Sequence, residues 1–128
     1  NRDQAIELLK LAVNKPRFDA DAADRIRAQL VANLMYSEKD PNKVAAKQWF
    51  ETAFAGHPYG RPAAGTIETL KGISPDDLHA FHKRNFARDN LKIVAVGDID
   101  AATLGKLLDD VFGTLPAKAD LAPVGKTM

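Results

Sequence analysis

There is no cysteine among the 128 residues, which excludes disulfides and thiolate metal sites and leaves the redox compartment open. Nor is there an excess of one charge. Eighteen Lys and Arg stand against 17 Asp and Glu, a net charge of +1, whereas a nucleic-acid surface needs basic residues in clear surplus on one face. No apolar run approaches the roughly 20 residues that cross a bilayer as a helix. No secretory leader stands at the start, where residue 1 already opens onto a helical pattern. That is the expectation for a processed chain or a piece of a longer one. What is present, 45% hydrophobic and 27% charged, suits one modest globular domain.

Helical periodicity dominates. Ile6, Leu9 and Val13 share one face of a helix predicted over 3–13, which Asn14-Lys15-Pro16 stops. Asp19 or Asp21 caps a longer second helix with Ala23, Ile26, Leu30 and Leu34 as its stripe and Arg25 and Arg27 at the sides. Asp40-Pro41 opens a third, through Val44, Trp49, Phe50 and Phe54, ended by Gly56. Gly56, Pro58, Gly60, Pro62 and Gly65 then form a loop that cannot propagate a helix. A short helical turn follows over 66–71. Ser74-Pro75-Asp76-Asp77 starts the next helix, with Ser74 as N-cap, Pro75 at the first helical position, and Leu78 and Phe81 facing inward. Asp100 caps a last helix whose Leu104, Leu107, Leu108 and Val111 recur at helical spacing.

One segment reads differently. Asn90 to Val96, apolar at Leu91, Ile93, Val94, Ala95 and Val96, is the single convincing strand, and its character suits a central strand covered on both faces. A lone strand leaves both edges unpaired. Its partners are therefore expected in another chain or in the missing part of a larger domain, and self-association through Asn90–Val96 is a further expectation. From Leu115-Pro116 the apolar pattern dissolves, so residues 1–116 are assigned to the domain and 117–128 to a linker or tail.

The ordered series Phe54-x-x-His57-Pro58-Tyr59-Gly60-x-Pro62-x-x-Gly65-Thr66, then Leu70-x-x-Ile73-x-x-x-Asp77-Leu78-x-x-Phe81, then Asn90 to Ile99 ending in Val-Gly-Asp-Ile, resembles the M16 peptidase family. That family includes pitrilysin, insulinase, the mitochondrial processing peptidases and the core subunits of the cytochrome bc1 complex. Pro16-Arg17-Phe18-Asp19 before a long helix also matches, so the resemblance runs from about Ile6 to Pro116. It implies an α+β fold: a mostly helical segment of an M16-type (LuxS/MPP-like) domain, with a sheet only partly encoded in this chain, here its C-terminal part.

Active members hold zinc with two histidines of an inverted His-x-x-Glu-His motif and a distal glutamate, and the metal acidifies a bound water. This chain has no such motif, and its three histidines, His57, His79 and His82, have no Glu in the required position. Aligned by Arg25 and Arg27, the second helix puts Asn33 at the expected third zinc-ligand position and Ile26 where a supporting glutamate often stands. Asn is a neutral, poor zinc ligand, and Glu38 is too far along to replace it. The resemblance thus implies a domain without its own zinc site: no catalytic residue, no metal ligand, no cofactor in this chain, and no assigned substrate-binding residue. Its expected partners are an M16-type catalytic domain or subunit and a peptide substrate; a bacterial source would imply the periplasm. The alternative is a fragment of an active zinc metalloendopeptidase whose His-x-x-Glu-His half lies elsewhere.

Other candidates have plainer readings. His79 and His82, at i and i+3, lack a carboxylate at matching pitch, and read as surface or interface histidines. His57 in a Pro/Gly loop reads as a turn anchor rather than a base. Trp49, Phe50 and Phe54 fit core packing better than a peptide-binding aromatic patch. Gly97-Asp98 with Asp100 lacks the Gly-rich run and Lys-Ser/Thr of a phosphate loop, and reads as a turn and cap.

Overall fold

A computed structural model describes residues 1–126. The elements are six α-helices, α1 (Arg2–Asn14), α2 (Ala20–Ser37), α3 (Pro41–Ala53), α4 (Ile67–Gly72), α5 (Pro75–Asn85) and α6 (Ala101–Phe112), with 3-10 turns at Pro58–Gly60 and Arg88–Asn90. No strand occurs among the described residues. This corrects the α+β expectation: the segment is all-helical, and Asn90–Val96 is not a strand. The physical reason is pairing. A strand is defined by a ladder to a neighbour, and no second β-segment exists here to supply one. Among the described residues no backbone hydrogen bond involves Lys92 to Val96. Val94 and Val96, expected to be covered on both faces, are 89% and 96% exposed.

The chain divides into two compact units. The first comprises Asn1–Phe18 and Asp76–Leu121. There α1 packs on α6, and Val13, Ala87, Val111 and Leu115 are buried. Leu104, Leu107 and Leu108 turn the same way as Val111 and are half-buried, as the spacing requires. Asn14 ties the two helix ends: its Nδ2 donates to the Val111 carbonyl at 2.7 Å and its Oδ1 accepts from the Thr114 hydroxyl at 2.6 Å. Lys10 Nζ lies 2.6 Å from Asp110 Oδ1, a hydrogen bond that raises the ammonium above its ordinary pKa.

After α6 the chain returns along α5 and the turn that follows it. Arg88 N–H donates to the Pro116 carbonyl at 2.9 Å and Asp120 N–H to the Arg84 carbonyl at 2.9 Å, while Asp89 Oδ1 accepts from Ala119 N–H at 2.9 Å. The tail expected over 117–128 ends on two residues that lie outside the described ones.

Helix starts follow the caps in the sequence. Asp40 precedes α3 and accepts from the Asn42 and Lys43 amides at 2.9 and 3.4 Å, whereas Asp19 stands at the N-cap position of α2 without a side-chain cap bond. Asp100 Oδ1 accepts from Thr103 N–H at 2.9 Å and its Oδ2 from the Thr103 hydroxyl at 2.7 Å. These bonds, the side-chain one foremost, hold the Asp100 carboxyl below the usual carboxylate range. α5 begins at Pro75, directly after Ser74. Ser74→Ala should cost about 1 kcal/mol in chemical denaturation, the usual loss of an N-cap; an unchanged midpoint would show that the helix start does not depend on Ser74. Phe81, expected to face inward from α5, is instead exposed.

The second unit comprises Asp19–Pro75 with residues 122–126. Here α2 packs on α4, and α3 on the Pro58–Gly60 turn. The inward face of α2 is not the expected stripe. Ala23, Arg27, Val31 and Leu34 face in, while Ile26 and Leu30 stay exposed. The face is turned because Arg27 reaches the end of α4. Its Nε donates to the Leu70 carbonyl at 3.0 Å and its Nη2 to the Ile73 carbonyl at 2.6 Å, while Asp24 pairs with Nη1. α4 starts on a reciprocal cap, Thr69 N–H to Thr66 Oγ at 3.2 Å and Thr66 N–H to Thr69 Oγ at 2.8 Å. Gly60 has no room for a side chain: an added Cβ would sit 2.6 Å from the Phe54 carbonyl oxygen, so the turn lies flat on the end of α3.

Candidate functional site

A concave feature of the second unit is a cavity of about 710 Å³ between the C-terminal end of α2, α3 and the loop from Tyr59 to Glu68. Leu34, Val44, Phe50 and Ile67 supply its apolar lining. Asp40 and Thr66 set the starts of the two helices that flank it. Lys43, Lys47 and Arg61 bring positive charge and Glu38 and Glu68 negative charge to the same walls. Most of these charges are already engaged. Lys43 Nζ donates to Ser37 Oγ at 3.3 Å, and Lys47 Nζ is 4.0 Å from Glu51 Oε1. Glu68 is held below the usual carboxylate pKa, first by a hydrogen bond from its own backbone amide, then by Thr66 and the charges of Lys71 and Lys47. The Arg61 side chain is exposed and makes no hydrogen bond or ion pair among the described residues.

Beside the cavity lies an aromatic cluster. Trp49 sets its edge on Phe50 at 4.9 Å, Phe50 stacks on Phe54 at 6.0 Å, and Tyr59 meets Phe54 at 5.8 Å. The expectation of core packing is corrected here. Trp49 and Phe50 are 59% and 48% exposed; the main packing partner of α3 among the described residues is the short Pro58–Gly60 turn, which leaves its outer face open. Helical spacing fixes which side chains share a face; it cannot say whether anything covers that face.

The histidines are anchors. Tyr59 N–H donates to His57 Nδ1 at 3.2 Å, and His57 Nε2 donates to the Gly125 carbonyl at 3.0 Å. Both ring nitrogens thus meet backbone groups, which fixes the ring's orientation in the loop. His82 Nε2 donates to the Val13 carbonyl at 2.7 Å and stacks on Phe86 at 4.6 Å. His79 stands edge-on to Phe18 at 4.9 Å. Phe18 holds a left-handed backbone, φ 49°, which packing against both histidines stabilises. Gly97-Asp98 is a bend before the Asp100 cap. Asn33 is exposed on α2 and does not line the cavity. No group of three His, Asp or Glu with metal-binding geometry occurs among the described residues. The sequence reading set Arg27 at the side of the second helix, where the structure turns it inward, and passed over Arg61. Nothing local marks Arg27, whereas Arg61, a charge inside a Pro/Gly loop, was open to notice.

A helical segment with this loop and cavity has clear relatives. The peptidase M16 inactive domain model matches residues 72–128. The chain is 30% identical over 114 residues to the non-peptidase homolog YmxG of Helicobacter pylori, covering 89% of this chain and 26% of that protein. It is 25% identical over 122 residues to the mitochondrial-processing peptidase subunit beta of Lentinula edodes, covering 95% and 26%. An uncharacterized zinc protease of Mycobacterium leprae is 24% identical over 110 residues, covering 86% and 25%. The crystal structure of a peptidase M16 inactive domain from Pseudomonas fluorescens superposes with a TM-score of 0.91 at 29% identity, over 99% of this chain and 31% of that one. These matches make the chain similar to proteins of the M16 peptidase family. It spans about a quarter of the length of these curated relatives.

Proposed function

We propose that this chain is part of an M16 domain that carries no zinc site of its own and supports peptide binding or assembly beside a zinc-bearing M16 domain or subunit. The observation that carries this is Asn33. It presents a neutral amide on the exposed face of α2, at the position where the family resemblance puts the third, acidic ligand, in a chain with no His-x-x-Glu-His. The match to an M16 inactive domain and the likeness to a relative named a non-peptidase homolog support the reading. Exposed apolar side chains on α1, α2, α3 and Ile93 to Val96 form surfaces that further polypeptide, of the same protein or of a partner, would cover.

Similarity to a protein named a zinc protease favours one alternative, a fragment of an active metalloendopeptidase whose histidines lie elsewhere. Metal analysis separates the two as far as this chain is concerned. The purified chain should hold no stoichiometric zinc and cleave no peptide. One tightly bound zinc per molecule, removable by a chelator, would overturn the assignment.

A further inference from the structure

The cavity between α2, α3 and the Tyr59–Glu68 loop plays no part in the zinc argument, and its chemistry is specific. Its floor, Leu34, Val44, Phe50 and Ile67, offers an apolar surface, and its volume of about 710 Å³ falls within the ordinary range of small-ligand sites. Of the three cations on its walls, Lys43 and Lys47 already have partners. Arg61 has none among the described residues, and its planar fork is the group best shaped to take a carboxylate through two parallel hydrogen bonds. Glu38 and Glu68 line the same space, so a polyanion would meet more repulsion than a single carboxylate. The loop adds backbone capacity. Ala63 and Ala64 line the cavity, and their amides and carbonyls make no hydrogen bond within the described chain. A peptide can answer those groups with its own backbone; a fatty acid cannot.

From this charge and backbone complementarity we infer that the cavity binds the C-terminal end of a peptide, with an apolar last side chain on the Phe50 floor and the terminal carboxylate on Arg61. The inference rests on the reading that the chain handles peptide, and it names the part of the peptide recognised. Phe50 touches Trp49 edge-to-face at 4.9 Å, and Trp49 is the single tryptophan of the chain, so occupancy is also visible in its fluorescence.

The test is calorimetric titration of the whole chain with N-acetyl-Ala-Ala-Leu-Phe bearing a free C-terminal carboxylate, and with the same peptide as its C-terminal amide. The acid should bind about tenfold more tightly, the scale of one charge-assisted hydrogen-bonded pair, and shift the Trp49 emission. Arg61→Met should make the two peptides equal with an unchanged far-UV spectrum. Arg61→Lys should retain part of the preference, since a point charge replaces a fork, and it serves if the methionine variant misfolds. Phe50→Ala should weaken acid and amide alike. Equal binding of acid and amide to the unmodified chain, a preference that survives Arg61→Met, or no binding of either peptide would overturn the inference. Displacement of the peptide by laurate with equal affinity would also overturn it, and would make the cavity a lipid site. A failure here with zinc still absent removes this site and leaves the non-catalytic assignment standing; zinc present with peptide bound does the reverse.

Discussion

Arg27→Met should destabilise the chain by about 2–4 kcal/mol in chemical denaturation, the cost of losing charge-assisted hydrogen bonds at a largely buried group. The Arg27 side chain is only 23% exposed and holds two carbonyls, Leu70 and Ile73, at the end of α4. A six-residue helix is too short to be stable alone, so α4 depends on what closes its end and on the burial of Leu70. Removing the guanidinium takes away the Ile73 carbonyl's side-chain donor and leaves the Leu70 carbonyl only the long 3.4 Å bond from the Ile73 amide. Arg27→Lys should recover little, because one ammonium cannot span both acceptors. Arg25→Met, two residues away and exposed, should stay within about 0.5 kcal/mol, as surface substitutions do. If Arg27→Met proves as mild as Arg25→Met, the guanidinium is not what closes α4.

In the first unit the largest effect is expected at Val111, the one large side chain buried to 2% exposure. Val111→Ala removes two methyl groups from the α1–α6 seam and should cost about 2 kcal/mol. Val111→Asp places a carboxylate where Val13 and Leu115 are also buried and no cation is at hand; Lys10 is committed to Asp110. An unpaired buried charge costs several kcal/mol, which approaches the whole stability of a small domain. Val111→Asp should therefore lose its cooperative unfolding transition. A folded variant with near-normal denaturant midpoint would show that α6 does not depend on this seam.

The local chemistry of the chain was legible because it acts within a few residues. The Asp19, Asp40 and Asp100 positions mark the starts of α2, α3 and α6, and Pro41 and Pro75 occupy first helical positions. The α6 stripe was legible too, since Leu104, Leu107, Leu108 and Val111 leave one face no alternative. The stripe of α2 was not. Counting apolar residues selects Ile26 and Leu30, whereas the side turned inward carries Arg27, which donates to carbonyls at the end of α4, more than forty residues away in sequence. The family was recognised from an ordered motif series, while the cavity and Arg61 at its wall emerged only when α2, α3 and the loop were set side by side.

Asn90–Val96 draws the boundary between the two kinds of information. Its residues determine that the segment is apolar, β-branched and unfit for a helix, and the chain indeed leaves it without one. Whether it is a strand depends on a partner backbone at ladder distance, and that is a tertiary property. The same division holds for the aromatic residues of α3. Sequence by itself determined that Trp49, Phe50 and Phe54 lie near one another, through 3.6-residue periodicity; only the tertiary structure decided that Trp49 and Phe50 remain open, because burial requires a second surface and the main one α3 meets among the described residues is the short Pro58–Gly60 turn.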